Sequence, residues 1–214
     1  MATEQYKREW MVQQQIANRG VDDERVLQAM RKVPRHLFVP PDVRDLAYSD
    51  CPVGIGHGQT ISQPYIVGLI TALLDVKANH RVLDVGTGSG YQAAILAELA
   101  AEIHSIERYP ELAESAKETL ESLGYQNVLI HTGDGTCGYP DGAPYDRIVV
   151  GASAPAVPEP LLNQLGPDGR LVIPVGSRFS QRLGIWDNTQ KGFKHTASTP
   201  VIFVPLIGKH GWGN

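Results

Sequence analysis

Two short runs hold most of the residues whose types and spacing could do chemistry. The first, GQTISQPY (Gly58–Tyr65), sets two hydroxyls, Thr60 and Ser62, in a turn ahead of an apolar helix. The second, VLDVGTGSGYQ (Val82–Gln92), is a hydrophobic strand that ends near Asp84 and turns through Gly86, Gly88 and Gly90 into another helix. Glycines at such a turn let the backbone bend sharply and approach a ligand with no Cβ in the way. A dinucleotide fingerprint would place a third small residue five positions after Gly86, so that helix and strand pack closely. That position is Tyr91, which disfavours a dehydrogenase.

The loop is therefore GxGxG, with an acid two residues before its first glycine. A carboxylate at Asp84 would repel a pyrophosphate at close range but attract a cation. S-adenosylmethionine carries both a sulfonium and an ammonium group, so it suits the loop. Two further acids close later strands. Glu107 ends HSIE, 21 residues after Gly86, where a carboxylate can accept both hydrogen bonds of a ribose diol. Asp134 lies in GDG (Gly133–Gly135), where it could accept from an adenine amino group. Alone, Glu107 reads as a solvated strand-end acid and Asp134 as a turn former. Together, three acids on successive strand ends after this loop point to a nucleoside-bearing cofactor.

The hydroxyl-rich turn is less decisive by itself. Ser62, two residues ahead of Pro64, reads most simply as an N-cap for the following helix. Thr60 equally satisfies a turn. His57, between two glycines, is a candidate base, although a lone loop histidine seldom serves as one.

The elements that must position these residues follow from pattern. Of 214 residues, 42% are hydrophobic and 20% charged, which supports a folded core rather than disorder. Net charge is −4, with Lys and Arg scattered, which argues against nucleic acid as a partner. Cys51 and Cys137 have no CxxC spacing and no neighbouring cluster of metal ligands, so no metal is expected and the thiols read as reduced. The N-terminus lacks an apolar signal core, and no apolar run approaches the ~20 residues that span a bilayer. The expectation is a cytoplasmic protein without a membrane span or an evident obligate partner.

Glu4–Arg19 reads as a helix with Tyr6, Trp10, Gln13, Gln14 and Ala17 on one face and Gly20 as its stop. Asp22 or Asp23 caps a second helix striped by Val26, Leu27 and Met30, stopped by Pro34. Arg35–Gly58 reads as an irregular wrap, and Pro64 opens an apolar helix. Strands are expected at Arg81–Val85, Glu102–Ile106, Val128–His131, Arg147–Val150 and Arg170–Val175. Helices fall at Tyr91–Ala100, Pro110–Leu123 and Glu159–Leu165. Such alternation implies a doubly wound α/β fold with helices on both faces of a parallel sheet. Leu183–Asp187, Phe193–Thr196 and Val201–Leu206 then suggest an appended antiparallel hairpin. One domain is expected over residues 1–214, with residues 1–57 as helical extension and wrap and 58–214 as the cofactor-binding and catalytic core.

From Val33 to the C-terminus, the chain resembles the protein-L-isoaspartate (D-aspartate) O-methyltransferase family. The resemblance rests on AYSDCPVGIGHGQTIS, GQTISQPYIVGLI, VLDVGTGSGYQAAILAELA, HSIE, GDGTCGYPDGAPYDRIVVGASAPAVPEPLLNQL, GRLVIPVG and FVPLIGKHGW. GxGxG is shared by many methyltransferases; TISQP and the closing PLIG are specific to this family. The resemblance implies a mostly parallel seven-stranded sheet of the class I S-adenosylmethionine-dependent type, with its last two strands exchanged. It implies methyl transfer from S-adenosylmethionine to the carboxylate of isoaspartyl, and in some cases D-aspartyl, residues in damaged proteins and peptides. The ester then collapses to a succinimide. It assigns activity to the serine of TIS, here Ser62, and the cofactor border to Thr60, Asp84, Gly86, Gly88, Glu107, Asp134 and Gly135. The chain departs at GASAPAVPEP, where relatives more often carry an alanine-rich TAAAP-like run, so fine substrate preference is where it would differ.

That chemistry is physically economical. A carboxylate with a pKa near 4 is already nucleophilic at pH 7, so no general base is needed, which argues against His57 in that role. What is needed is an in-line approach and a water-poor pocket, because sulfonium and carboxylate both lose their charge. Ser62 is expected to orient the carboxylate or the substrate backbone. Two other readings compete. A methyltransferase acting on base amines would usually carry an (N/D)PP(Y/F) run where this chain has VVGASAP. A cofactor-binding module without catalysis is disfavoured by the intact TIS run.

Overall fold

The computed structural model describes residues 3–213. Helix α1 (Glu4–Trp10) starts on Thr3, whose hydroxyl accepts from the Tyr6 N–H. The chain continues as a π-helical turn over Met11–Ile16 and a 3₁₀ turn over Ala17–Arg19, and ends at Gly20 with φ 93°. The expected helical span is there, but its inner face is not the expected one. Tyr6 and Trp10 are 61% and 50% exposed, while Met11, Val12, Gln15 and Ile16 are buried. The wider π turn changes which residues share a face, and it brings the more aliphatic set onto the core. Helix α2 (Glu24–Lys32) is capped by Asp23, which accepts from the Arg25 N–H, and buries Val26, Leu27, Ala29 and Met30.

The wrap is more ordered than expected. It contains 3₁₀ turns over Arg35–Phe38 and Pro41–Leu46, then a hairpin of β1 (Val53–Gly56) and β2 (Gln59–Ile61). His57 and Gly58, with φ 51° and 69°, form its two-residue loop. Positive φ at both loop positions matches the hairpin's own twist. Helix α3 (Pro64–Leu74) follows with Pro64 in its first turn.

The main sheet comprises β3 (Arg81–Val85), β4 (Glu102–Glu107), β5 (Val128–Thr132), β6 (Tyr145–Val150), β7 (Leu165–Ser177), β8 (Ser180–Thr189) and β9 (Gly192–Val201). Helices α4 (Tyr91–Ala97), α5 (Pro110–Ser122) and α6 (Glu159–Asn163) connect the parallel strands. The order is β5-β4-β3-β6-β7-β8-β9, with β3 to β7 parallel and β8 and β9 antiparallel. Here β8 lies beside β7 and β9 at the edge, the exchanged order that the resemblance implies. The C-terminal addition is thus two hairpins, β7–β8 and β8–β9, where one was expected.

The strand expected over Val201–Leu206 does not form beyond Val201. Pro205 has no N–H to extend a ladder. The segment instead crosses to the tip of β6, where the Ser153 N–H donates to the Val204 carbonyl and the Leu206 N–H to the Ser153 carbonyl, both at 2.8 Å.

Burial follows the two-residue period of the strands. Val82, Ile103, Val149, Val172 and Leu183 join one core with Met11, Ile16, Met30 and the apolar sides of α3 and α4. Leu83, Ile106, Ile148, Val150, Leu171 and Ile173 join the other core with Leu161 and Leu206. Chain direction across the sheet reverses between β3 and β6, so their carboxyl tips part there and leave a crevice.

Candidate active site

The crevice is floored by the glycine loop. The Gly86 N–H donates to the Ile106 carbonyl at 2.9 Å and the Gly90 N–H to that of Thr87 at 2.8 Å, which fastens the loop across the tips of β3 and β4. Gly88 has φ 54°, and a Cβ there would meet Ile55 of the hairpin at 3.4 Å. Its N–H donates to Glu107 Oε2 at 2.8 Å. The loop is therefore held in shape by the protein's own hydrogen bonds.

Asp84 is fully buried beneath this loop. Its Oδ2 accepts from the Ser105 hydroxyl at 2.8 Å, and Ser105 in turn contacts Thr87 Oγ1 at 2.6 Å. Ser105 sits opposite Asp84 in the β3–β4 register. Oδ1 is buried and has no partner. Burial pushes the carboxyl up to about 7; the Ser105 hydrogen bond works against that and repulsion from Glu107 adds to it. A buried carboxylate oxygen without a donor carries an energetic penalty that a cationic ligand would remove. Asp84 lines a cavity with Thr60, Ser62, Thr87, Ser89 and Gln92, so the group that completes it has a place to sit.

Glu107 and Asp134 are differently placed. Glu107 is buried and accepts from Gly88 on one oxygen, and from the Arg108 and Tyr109 N–H groups on the other at 2.8 and 3.1 Å. It lines a second cavity with Val85, Ile106, Gly135, Leu206 and Ile207, an apolar slot with one acid at its edge. Gly135 has no room for a side chain: a Cβ would lie 2.6 Å from Val85 Cγ1. Asp134 lies outside that slot, in a neighbouring groove with Arg108 and Lys209. Its Oδ1 accepts from the Thr136 N–H and hydroxyl at 2.9 and 2.6 Å, and its Oδ2 from the Lys209 N–H at 2.8 Å. Burial would raise its carboxyl, but the bonds from Lys209 and Thr136 outweigh it and hold it below the usual range. The structure thus brings Thr60, Ser62, Asp84, Gly86, Gly88, Glu107 and Gly135 onto one connected surface and sets the Asp134 side chain beside it.

A third cavity, a groove of about 860 Å³, opens on the far side of Ser62. It is lined by Arg19, Tyr65, Phe179, Gln181, Ile202 and Phe203 among others. Thr60 and Gly151 border all three cavities. Ser62 lies on the wall between the first cavity and the groove. It does not cap α3: the N-cap position is Gln63, and no side chain caps that end. Its hydroxyl makes no hydrogen bond among the described residues, so it is available to a ligand. His57 borders none of the three cavities and packs against Tyr109 with the rings tilted by 32° and their centroids 5.0 Å apart.

Several residues of the site carry no sequence signal. Ser105 is a mid-strand serine whose importance comes only from register. Gly151 is held by its N–H to the Val85 carbonyl at 2.8 Å, and the wall residue Phe203 belongs to a segment read as strand.

This arrangement has known counterparts. The family model described as protein-L-isoaspartate(D-aspartate) O-methyltransferase matches residues 6–211. The chain belongs to this family. Protein-L-isoaspartate O-methyltransferase 1 of Syntrophobacter fumaroxidans is 53% identical over 208 residues, 97% of each chain. The protein-L-isoaspartate O-methyltransferase of Methanoculleus marisnigri is 53% identical over 206 residues, covering 96% of this chain and 94% of that one. Among solved structures, a putative protein-L-isoaspartate O-methyltransferase from Plasmodium falciparum, in complex with S-adenosyl-L-homocysteine, matches with a TM-score of 0.82 at 28% identity. That match covers 94% of this chain and 98% of the other. That structure thus shares the fold of this chain over nearly its whole length.

Proposed function

We propose that this protein is an S-adenosylmethionine-dependent protein-L-isoaspartate O-methyltransferase acting on damaged proteins and peptides. The observation that carries the reading is the junction at Ser62, where a cavity built around an unpartnered buried acid meets an open groove. The family's activity and the fit of the residues support it.

When bound, S-adenosylmethionine supplies an electrophilic methyl group on a cationic sulfur. The residues present fit it. Asp84 Oδ1 would accept from a cationic end group, and the slot of Val85, Ile106, Leu206 and Ile207 would take an adenine. Glu107 keeps acceptor capacity for a ribose diol, since a carboxylate offers about four lone-pair positions and three are used. We assign the cofactor border to Thr60, Asp84, Gly86, Gly88, Glu107 and Gly135. Asp134 likewise has three of its about four positions filled; it holds the loop that carries Gly135 and would offer the remaining position to the adenine end of the cofactor.

On the acceptor side, the groove takes the peptide, and Ser62 donates to the isoaspartyl carboxylate. That carboxylate needs no base at neutral pH. Ile66, Val67, Ile70 and Phe203 keep water from the junction, which favours a step in which opposite charges vanish. The neighbouring backbone nitrogen then attacks the ester carbonyl; the C–N bond forms, the amide proton and the methoxy group leave as methanol, and a succinimide closes, a step in which the groove need take no part.

No helix among the described residues is long and apolar enough to cross a membrane. The reading places the enzyme in the cytoplasm, and the free thiols of Cys51 and Cys137 are consistent with a reducing compartment. Incubation with radiolabelled S-adenosylmethionine tests the activity. Base-labile label should appear on an isoaspartyl peptide and not on its aspartyl counterpart. Equal labelling of both, or of neither, overturns the reading.

A further inference from the structure

Arg35 has no solvent exposure, and no carboxylate lies within ion-pair distance of it among the described residues. A buried guanidinium without a counter-charge is uncommon because its desolvation is not offset. Burial accordingly pulls its pKa down. What holds it is backbone. Nε donates to the Ala47 carbonyl and Nη2 to the Ser62 carbonyl, each at 2.7 Å. The guanidinium carbon lies 4.9 Å from the centre of the Tyr91 ring. Nη1 and the Tyr91 hydroxyl are buried without partners.

These contacts join three parts of the molecule. Ala47 belongs to the wrap, Ser62 to the cavity wall, and Tyr91 is the first residue of α4, directly after the glycine loop. Ser62 needs such a support. Residue 61 ends β2 and residue 64 begins α3, so Ser62 lies between elements, and Arg35 is the group that grips its carbonyl. Fixing that carbonyl fixes the peptide plane and thereby the direction of the Ser62 side chain. A fork with fixed geometry does this better than a flexible ammonium, which would reach one carbonyl but not hold both at the same angles.

We propose that Arg35 is a positioning residue for the acceptor carboxylate, acting through the backbone of Ser62 from behind the cavity wall. It lines none of the cavities described above, so it acts from behind the wall rather than on the reacting atoms. The proposal rests on the methyl-transfer reading above, and it explains why an unpaired cation is kept in the core. A hydrophobic residue of similar size would fill the space at lower desolvation cost.

The test uses R35M, R35K, S62A and the double variant S62A/R35M in the full chain. Three quantities are read: steady-state kinetics on an isoaspartyl peptide, affinity for that peptide with S-adenosylhomocysteine present, and affinity for S-adenosylhomocysteine alone. R35M should lower kcat/KM at least tenfold and weaken peptide affinity, while S-adenosylhomocysteine affinity stays within about threefold. R35K should fall between R35M and wild type. The double variant should lose no more than about twofold beyond the larger single loss, because both changes act on one group. R35M kinetics within twofold of wild type overturn the proposal. So do losses that multiply in the double variant, or a fall in cofactor-product affinity that matches the fall in kcat/KM. If R35M does not fold, R35K and S62A/R35K carry the same comparison. A wild-type protein inert towards the isoaspartyl peptide overturns the functional reading and this proposal together; an active wild type with unaltered variants overturns this proposal alone.

Discussion

Asp84 and Asp134 occupy similar places, at or just past the tips of β3 and β5, the two parallel strands that flank β4, yet their surroundings differ. Asp134 spends both oxygens inside the protein, on Thr136 and on the Lys209 N–H. It ties the GDG turn to the C-terminal segment. Asp84 has one oxygen on Ser105 and one with no partner, under full burial. A satisfied carboxylate shapes backbone, whereas an unsatisfied buried one stores an interaction for a ligand. Residue type is the same in both cases; the difference lies in burial and in which donors the chain brings back.

Asp84→Asn should test this contrast most sharply. It keeps the shape and removes the charge, so S-adenosylhomocysteine affinity should fall on the order of a hundredfold, about 2.7 kcal/mol, measured by calorimetric titration. The ligand-free variant should melt higher than wild type, since it no longer strains to ionise a buried acid. An unchanged affinity would show that Oδ1 is not a ligand atom. Ser62→Ala comes next, with turnover on an isoaspartyl peptide lowered about tenfold or more, the value of a hydrogen bond to a charged group, and cofactor-product affinity nearly unchanged.

The carboxyl of Asp84 also sets a pH dependence. Its pKa is raised to about 7 in the ligand-free protein. A cation beside Oδ1 favours the ionised form, so binding is strongest above that pKa and weakens as pH falls through it. S-adenosylhomocysteine affinity should therefore drop by up to about tenfold between pH 7 and pH 6, and Asp84→Asn should abolish that slope. The same raised pKa means that ionisation costs the ligand-free fold stability as pH rises from about 4 towards 7. Glu107→Ala should weaken S-adenosylhomocysteine binding roughly tenfold, more than it slows the chemical step, because the Gly88 N–H and the ligand each lose a carboxylate acceptor. Asp134→Asn should have the smallest effect on affinity, under about threefold, and appear instead as a lowered melting temperature of a few degrees. Affinity losses of equal size at Asp134 and Asp84 would break the comparison.

The sequence made the cofactor half largely legible, for a local reason. Strand β3, the glycine loop and α4 are contiguous, and each position is set by its neighbours: Asp84, Gly86, Gly88 and the oversized Tyr91 could all be read from spacing. The parallel strands were found because their apolar runs are short and regularly interrupted by helices. What stayed hidden depends on distant pairing. Ser105 matters only because β4 lies in register with β3. Nothing local announces that the Lys209 N–H, 75 residues later, will donate to Asp134. The hairpin of β1 and β2 was missed because three- and four-residue strands leave little periodicity to detect, and the inner face of the first helical segment because a π turn breaks the α period. Arg35 gave no signal at all: in the sequence it is one arginine before a histidine, and its burial is a property of the wrap.

The segment over residues 203–207 borders both the slot beside Glu107 and the groove beside Ser62, and it follows the other residues that line them in the chain. During synthesis the sheet and the glycine turn can therefore be complete while the pocket still lacks a lid. A nascent or prematurely stopped chain would fold much of its core yet bind no methyl donor. Proteolysis near Ile202, which is 81% exposed, would silence the enzyme without unfolding its centre.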